Sequence, residues 1–82
     1  MPVIVTGGAG FIGSNFILNW LESNSDQVIN LDALTYAGNL KNLESVQEND
    51  QYGFVHGDIG NYELVSSLLE EHKPSAIINF AA

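Results

Sequence analysis

The chain has 82 residues, and its ten acidic residues stand against two basic ones, Lys41 and Lys73, which gives a formal net charge of -8. So few cations cannot neutralise a phosphate backbone, which excludes nucleic acid as the expected partner. No cysteine is present, so disulfides and thiolate metal sites are excluded, and a reducing cytoplasm fits. No apolar run approaches the ~20 residues of a membrane span, and no basic region precedes the first strand-like run, so we expect neither a membrane anchor nor a signal peptide.

The first half of the chain predicts a strand, a helix and a second strand. Val3 to Val5 is a β-branched run that predicts a buried strand leading into a glycine-rich turn. A second buried strand is predicted from Val28 to Leu31, closing at Asp32. Between them, apolar residues at helical spacing predict a helix that ends near Asn24 and Ser25. Its apolar stripe is Ile12, Phe16, Ile17, Trp20 and Leu21.

The second half of the chain repeats this alternation. Asn39 can cap a helix with apolar positions Leu40, Leu43 and Val46. Tyr52 to His56 predicts a third strand, and Ala76 to Phe80 a fourth buried strand. The helix between them is expected to begin at the cap Asn61 and to end at Pro74. Its stripe is Leu64, Val65, Leu68 and Leu69.

The order of these elements predicts an α/β fold. Alternating strands and helices with continuous apolar strands indicate a Rossmann-type doubly wound parallel sheet, covered by helices on both faces. We expect residues 1–82 to be the N-terminal, four-strand part of such a domain. The sequence stops at Ala81 and Ala82, where the fourth strand ends, so a substrate domain is expected in a longer parent protein.

The most informative motif is the glycine-rich segment from Thr6 to Gly13. It holds Gly-x-Gly-x-x-Gly and the overlapping Gly7-x-x-Gly10-x-x-Gly13 between a predicted strand and a predicted helix. Such glycines allow a tight turn, the approach of a pyrophosphate to bare backbone, and close packing of helix on sheet. The helix N-terminus then offers free N–H groups to the phosphates. The alternative is a glycine-rich turn that only connects two elements. The strand before the motif, the helix after it and an acidic residue at the right distance favour dinucleotide binding instead.

Two acidic residues follow strands of the predicted sheet. Asp32 ends the second strand, about 20 residues after the glycines, where a carboxylate binds the ribose hydroxyls of a dinucleotide and repels a 2′-phosphate. The sequence therefore predicts NAD rather than NADP. Asp58 follows the third strand, and its position fits a helix cap and a cofactor ligand equally well.

The remaining polar candidates carry weaker signals. His56 and His72 have no second ligand at metal-binding spacing, so no metal site is predicted. None of Tyr36, Tyr52 and Tyr62 is followed by lysine four positions later. No catalytic residue is therefore predicted in this chain.

A family resemblance rests on three segments. The glycine loop with Ser14 and Asn15 resembles that of the extended short-chain dehydrogenase/reductases. The segments Asn30 to Leu40 and Phe54 to Ile59 resemble most closely the dTDP-glucose 4,6-dehydratases, and the run Leu34 to Asn39 separates them from the UDP-glucose epimerases. The likeness covers the whole chain, but only about the first quarter of such an enzyme. One departure is Ala33, where family members often have a lysine.

The resemblance implies a cofactor-binding set. Phe11 and Ile12 would offer backbone contacts to the pyrophosphate, Asp32 would hold the ribose, and Thr35 would support the loop beside it. Asp58 and Ile59 would contact adenine. Phe80, Ala81 and Ala82 would line the cofactor at the end of the fourth strand.

The resemblance also implies an activity for the longer parent. In the family, NAD takes a hydride from C4 of the glucosyl unit, water leaves across C5 and C6, and the hydride returns to C6. The Tyr-x-x-x-Lys pair and the carboxylates for this work are expected beyond Ala82, so this chain alone should be inactive. The parent is expected to be a cytoplasmic homodimer that binds a nucleotide sugar. A UDP-sugar 4-epimerase and a non-catalytic NAD-sensing module remain alternatives.

Overall fold

A computed structural model describes residues 2–23, 26–34 and 40–80 of the chain. Every predicted strand is present, with bounds within one residue of those predicted. The predicted helix end at residues 24–25 and the predicted cap Asn39 lie outside the described residues. In chain order the elements are β1 (Val3–Thr6), α1 (Phe11–Ser23), β2 (Val28–Asp32), a 3₁₀ helix (Leu40–Val46), β3 (Tyr52–His56), α2 (Tyr62–His72) and β4 (Ala76–Asn79).

The four strands form one parallel sheet in the order β3-β2-β1-β4. The chain moves outward from β1 to β3 and then crosses back to place β4 on the other side of β1. This is the order of the first four strands of a Rossmann domain, so the predicted doubly wound parallel sheet is confirmed. In such sheets, ligands bind beyond the carboxyl ends of the strands, where the strand order reverses. That position lies here between β1 and β4.

Two apolar clusters lie on opposite faces of the sheet because successive side chains of a strand point to opposite sides. One cluster joins β1 and β2 to α1 and the 3₁₀ helix, through Val3, Val5, Val28, Ile17 and Leu43. The other joins the same strands to α2, through Ile4, Ile29, Leu31 and Leu68. Helices therefore cover both faces of the two central strands.

The third predicted helix is confirmed at both ends. The side chain of Asn61 caps α2 by accepting a hydrogen bond from the Leu64 N–H at 3.2 Å. Lys73 ends the helix in the left-handed conformation at φ 45°, and its N–H bonds to the Leu69 carbonyl at 2.9 Å. Among the described residues, no helix has the length and apolarity that crossing a bilayer requires.

The second predicted helix is a 3₁₀ helix. Its apolar positions, Leu40, Leu43 and Val46, lie three residues apart. Of these, the Leu43 and Val46 side chains line up along the 3₁₀ helix, which has three residues per turn. Leu43 is fully buried and Val46 packs beside it, so a seven-residue 3₁₀ segment is enough to cover this part of the sheet.

The prediction that the fourth strand is buried is wrong, and the third strand is only partly buried. All residues of β1 and β2 are buried, but β3 is half-buried and β4 is mostly exposed. The reason is position, because β3 and β4 are the outer strands of the described sheet. In the β4 strand, Ile77 is 52% exposed, and α2 packs on Ile4 and Ile29 instead.

Candidate functional site

The glycine turn connects the carboxyl end of β1 to the start of α1. Gly7 has φ 71°, a left-handed conformation that glycine adopts without strain. Its N–H bonds to the Leu31 carbonyl at 2.9 Å, which ties the turn to β2. A Cβ atom on Gly13 would lie 2.5 Å from the Gly7 carbonyl oxygen and 2.8 Å from the Gly8 Cα. The structure therefore has the tight turn and the close helix packing that the sequence predicts.

The first turn of α1 presents free backbone donors beside this turn. The Ser14 N–H bonds to the Gly10 carbonyl at 2.9 Å, so by helix geometry the amides of Phe11, Ile12 and Gly13 have no acceptor within the helix. These amides carry the partial positive charge of the helix N-terminus. They are the groups that can bind an anion here.

The predicted place of Ile12 in the apolar stripe of α1 is wrong. Its side chain is 70% exposed, and that of Phe11 is 77% exposed. Gly13 occupies the side of the first helical turn that contacts the glycine turn, so the preceding residue points outward. The stripe of α1 begins instead at Phe16 and Ile17, which pack on the sheet.

The Asp32 carboxylate lies directly against the glycine turn. It is 7% exposed, its Oδ2 accepts a hydrogen bond from the Ala9 N–H at 2.8 Å, and its Oδ1 accepts one from the Leu34 N–H at 2.8 Å. A carboxylate has about four acceptor positions, so two such bonds leave capacity for further donors. The structure therefore brings the predicted acid and the predicted turn together at the mouth between β1 and β2.

A second polar side chain, Asn30, holds the same turn, and sequence reasoning missed it. It is fully buried, and its Oδ1 accepts a hydrogen bond from the Gly8 N–H at 3.0 Å. Its Nδ2 donates to the Tyr52 hydroxyl at 3.2 Å. The sequence does contain a signal that could have identified Asn30, because it is an amide among the apolar residues of the strand. It also lies two positions before Asp32, so the two side chains are on the same face of the sheet.

The Tyr52 phenol is half-buried between Asn30 and the 3₁₀ helix. Burial raises the pKa of Tyr52 above its ordinary value of 10.0, the hydrogen bond from Asn30 acts in the opposite direction, and the negative charge of Asp32 raises it further. The hydroxyl is therefore neutral at physiological pH. This tyrosine takes part in a structural hydrogen bond, a role that its sequence context did not indicate.

Asn42 is another contact that the sequence did not reveal. Its Nδ2 donates to the Ala9 carbonyl at 3.0 Å, so the 3₁₀ helix reaches back to the glycine turn. The Ala9 residue is fully buried. Its N–H is therefore held by Asp32 and its carbonyl by Asn42.

The loop after β3 comes close to the end of β2. The Gly57 N–H bonds to the backbone carbonyl of Asp32 at 3.1 Å. In this loop the Asp58 Oδ1 accepts a hydrogen bond from the Gly60 N–H at 2.7 Å. Asp58 therefore stabilises a turn, while Asn61 is the cap of α2. Asp58 is exposed and Ile59 is 42% exposed, so both remain accessible to a ligand.

Phe80 follows β4 beside the end of β1. Its N–H bonds to the Thr6 carbonyl at 2.7 Å, and the Thr6 hydroxyl donates to the Asn79 side chain. The Phe80 ring packs against Phe16 with ring centroids 5.6 Å apart, so the side chain belongs to the α1 face. The predicted residues Thr35, Ala81 and Ala82 lie outside the described residues.

His56 extends from the end of β3 toward the residue after Asp32. Its Nε2 lies 3.1 Å from the Ala33 carbonyl oxygen, which can only accept, so Nε2 carries the proton in this contact. Within residues 2–23, 26–34 and 40–80, no three or more His, Asp or Glu side chains are grouped to hold a metal ion.

Sequence comparison assigns the family. The profile described as GDP-mannose 4,6 dehydratase matches residues 4–82, almost the whole chain. The chain belongs to this family.

Comparison with individual proteins makes the similarity more specific. The dTDP-glucose 4,6-dehydratase of Xanthomonas campestris pv. campestris (strain B100) is 58% identical over 79 residues, which cover 96% of this chain and 22% of that protein. The crystal structure of the Bacillus anthracis str. Ames dTDP-glucose 4,6-dehydratase in complex with NAD superposes with a TM-score of 0.97 at 51% identity, covering 100% of this chain and 27% of that one. The resemblance predicted from the sequence is thus confirmed.

The epimerase structures are less similar to this chain than the dehydratase structure is. The UDP-glucose 4-epimerase of Thermotoga maritima, solved with UDP-glucose, superposes with a TM-score of 0.85 at 34% identity, covering 100% of this chain and 24% of that one. The chain spans about a quarter of the length of the proteins it matches.

Proposed function

We propose that this chain is the NAD-binding part of a dTDP-glucose 4,6-dehydratase. The observation that carries the proposal is the contact between the Asp32 Oδ2 and the Ala9 N–H at 2.8 Å. It places a carboxylate and a glycine turn at one mouth of a parallel sheet, the arrangement that binds a ribose beside a pyrophosphate. The similarity to dehydratases above that to epimerases favours the dehydratase.

The residues of the glycine turn fit a pyrophosphate. The Gly7 conformation and the missing Cβ of Gly13 bring the start of α1 against the end of β1. The free amides of the first helical turn then supply the positive end that a diphosphate needs, which matters in a chain with only two basic residues. We assign this role to Gly7, Gly10, Phe11, Ile12 and Gly13.

The Asp32 carboxylate fits the adenosine ribose. It is held in place by two backbone amides and keeps free acceptor positions for the two vicinal hydroxyls. A 2′-phosphate would instead meet a buried negative charge, and the chain has no arginine to offset it. We therefore propose NAD rather than NADP as the cofactor.

The other proposed cofactor contacts surround this mouth. The loop after β3 lies next to the end of β2 through the Gly57 bond to Asp32, which supports a role in adenine binding for its exposed residues. Phe80 is bonded to the end of β1, where the cofactor would extend toward its nicotinamide. The proposed set is Thr35 beside the ribose, Asp58 and Ile59 at adenine, and Phe80, Ala81 and Ala82 after β4.

The proposed reaction converts dTDP-glucose to a 4-keto-6-deoxy sugar. Bound NAD would supply the hydride acceptor and donor for this conversion. No Tyr-x-x-x-Lys pair occurs in the chain, so we assign it cofactor binding and no catalytic residue. We further propose that the complete polypeptide is a cytoplasmic homodimer that binds the nucleotide sugar outside residues 1–82.

The test uses the complete polypeptide that contains this chain. Calorimetry should show binding of NAD in preference to NADP, and NMR of the products should show dTDP-glucose losing water to give the 4-keto-6-deoxy sugar. Inversion at C4 without loss of water would identify an epimerase instead. NAD binding with no sugar turnover would identify a non-catalytic module, and absence of NAD binding would refute the proposal altogether.

A further inference from the structure

A buried amide connects the edge of the sheet to the glycine turn. Asn30 lies in the middle of β2 with no exposed surface, a costly place for a polar side chain unless its groups are hydrogen-bonded. Both ends of the amide are hydrogen-bonded. The Oδ1 accepts from the Gly8 N–H in the turn after β1, and the Nδ2 donates to the Tyr52 hydroxyl on β3. Tyr52 pairs with Val28 in the strand register, so it is the diagonal neighbour of Asn30 on the same face.

The chemistry of the partners fixes which way the amide points. The Gly8 N–H can only donate, so it must face the carbonyl oxygen of Asn30. The Nδ2 group then points toward β3, where the Tyr52 oxygen accepts one of its protons at 3.2 Å. An apolar side chain at position 30 would leave the Gly8 N–H buried without this acceptor.

The glycine turn also rests on Asn30 sterically. A Cβ atom on Gly8 would lie 2.4 Å from the Asn30 Oδ1 and 2.5 Å from the Ile17 Cδ1. Gly8 therefore lies against side chains of both β2 and α1, with no room for a Cβ atom.

Asn30 and Asp32 act on successive amides of the turn. They lie two residues apart on one face of β2, and they accept from the Gly8 and Ala9 N–H groups respectively. These two amides therefore point inward, toward the sheet. The next free donors, at the start of α1, belong to Phe11 and Ile12 and remain available to a ligand.

We propose that Asn30, oriented by Tyr52, is a positioning residue that sets the direction of the pyrophosphate-binding amides. This inference rests on the proposed NAD-binding function, since it concerns how the same turn is aligned. It predicts that Asn30 contributes to the affinity for the diphosphate of the cofactor. It predicts no contribution to the affinity for the adenosine part, which Asp32 binds.

The first test compares two ligands in the complete polypeptide carrying Asn30→Leu. Leaving the Gly8 N–H unsatisfied should weaken NAD binding about tenfold, within the range for a buried unpaired donor. The affinity for adenosine, which lacks phosphates, should stay within about twofold of wild type by ligand-detected NMR, because ribose recognition is retained. A merely structural role would weaken both ligands alike.

Tyr52→Phe keeps the test decisive if Asn30→Leu does not fold. Removing the hydroxyl takes the acceptor from the Asn30 Nδ2 group, so only the Gly8 N–H still holds the amide, and this should weaken NAD binding about threefold, the lower end of the range for one neutral hydrogen bond. Tyr62→Phe is the matched control, since Tyr62 is 83% exposed on α2, and it should bind NAD as wild type does. In the double variant, Tyr52→Phe should add nothing to Asn30→Leu, because Tyr52 acts through Asn30.

The outcomes separate this inference from the proposed function. Wild-type affinity for NAD in Asn30→Leu or in Tyr52→Phe, or equal losses for NAD and adenosine, would overturn the positioning role alone. A wild-type polypeptide that bound no NAD would overturn the proposed function and this inference with it. Two results together would support the positioning role. The Asn30→Leu variant would lose affinity for NAD but not for adenosine, and the double variant would bind NAD no more weakly than Asn30→Leu alone.

Discussion

Gly13→Ala tests how closely α1 must approach the glycine turn. The added Cβ would lie 2.5 Å from the Gly7 carbonyl oxygen and 2.8 Å from the Gly8 Cα, both backbone atoms that no side-chain rotation can move. The start of α1 must therefore move away from β1. Overpacking of this kind costs about 1–3 kcal/mol, and the better helix propensity of alanine offsets about 1 kcal/mol. We expect the free energy of unfolding to fall by up to about 2 kcal/mol.

The same displacement should weaken cofactor binding. The amides of Phe11 and Ile12 move with the first turn of α1, and a hydrogen bond to a charged group contributes about 1.5–3 kcal/mol. Loss of one such bond corresponds to NAD binding weaker by about 10- to 100-fold. Urea denaturation and calorimetry on the complete polypeptide measure the two effects separately.

Gly53→Ala is the matched control for this substitution. A Cβ on Gly53, in β3, would meet only the Ile29 Cδ1 at 3.2 Å, the end of a flexible side chain. We expect unchanged NAD affinity and little change in unfolding free energy. If Gly13→Ala behaved like this control in both measurements, the argument that α1 needs a bare backbone at Gly13 would be wrong.

Three further substitutions test separate parts of the site and the fold. Gly10→Val should place a branched side chain where the diphosphate approaches and abolish measurable NAD binding by calorimetry; undiminished affinity would refute the phosphate role of the turn. Asp32→Ala should weaken NAD binding and also reduce the preference for NAD over NADP, because both the ribose acceptor and the partner of the Ala9 N–H are lost; an unchanged affinity ratio would rule out the ribose assignment. Asn61→Ala should lower the unfolding free energy by about 1 kcal/mol through loss of the α2 cap without changing NAD affinity, and a change in affinity would show that α2 is coupled to the site.

Burial patterns show where local reasoning fails. The apolar runs of β1 and β4 look alike, yet Val5 is fully buried and Ile77 is half-exposed. The difference arises from strand order, since β1 has a neighbour on each side and β4 lies at the end of the described sheet. Likewise, the spacing of Leu40, Leu43 and Val46 indicated an apolar stripe but not that the segment is a 3₁₀ helix.

The sequence by itself determined the strands, the glycine turn and the position of Asp32. These features depend on runs of apolar residues and on spacings within about 20 residues, which the covalent chain fixes directly. Only the tertiary structure placed Asn30 and Tyr52 in contact and brought Asn42 to Ala9. Those contacts join residues more than 20 positions apart, and they depend on strand register and on the packing of helices against the sheet, which no local pattern encodes.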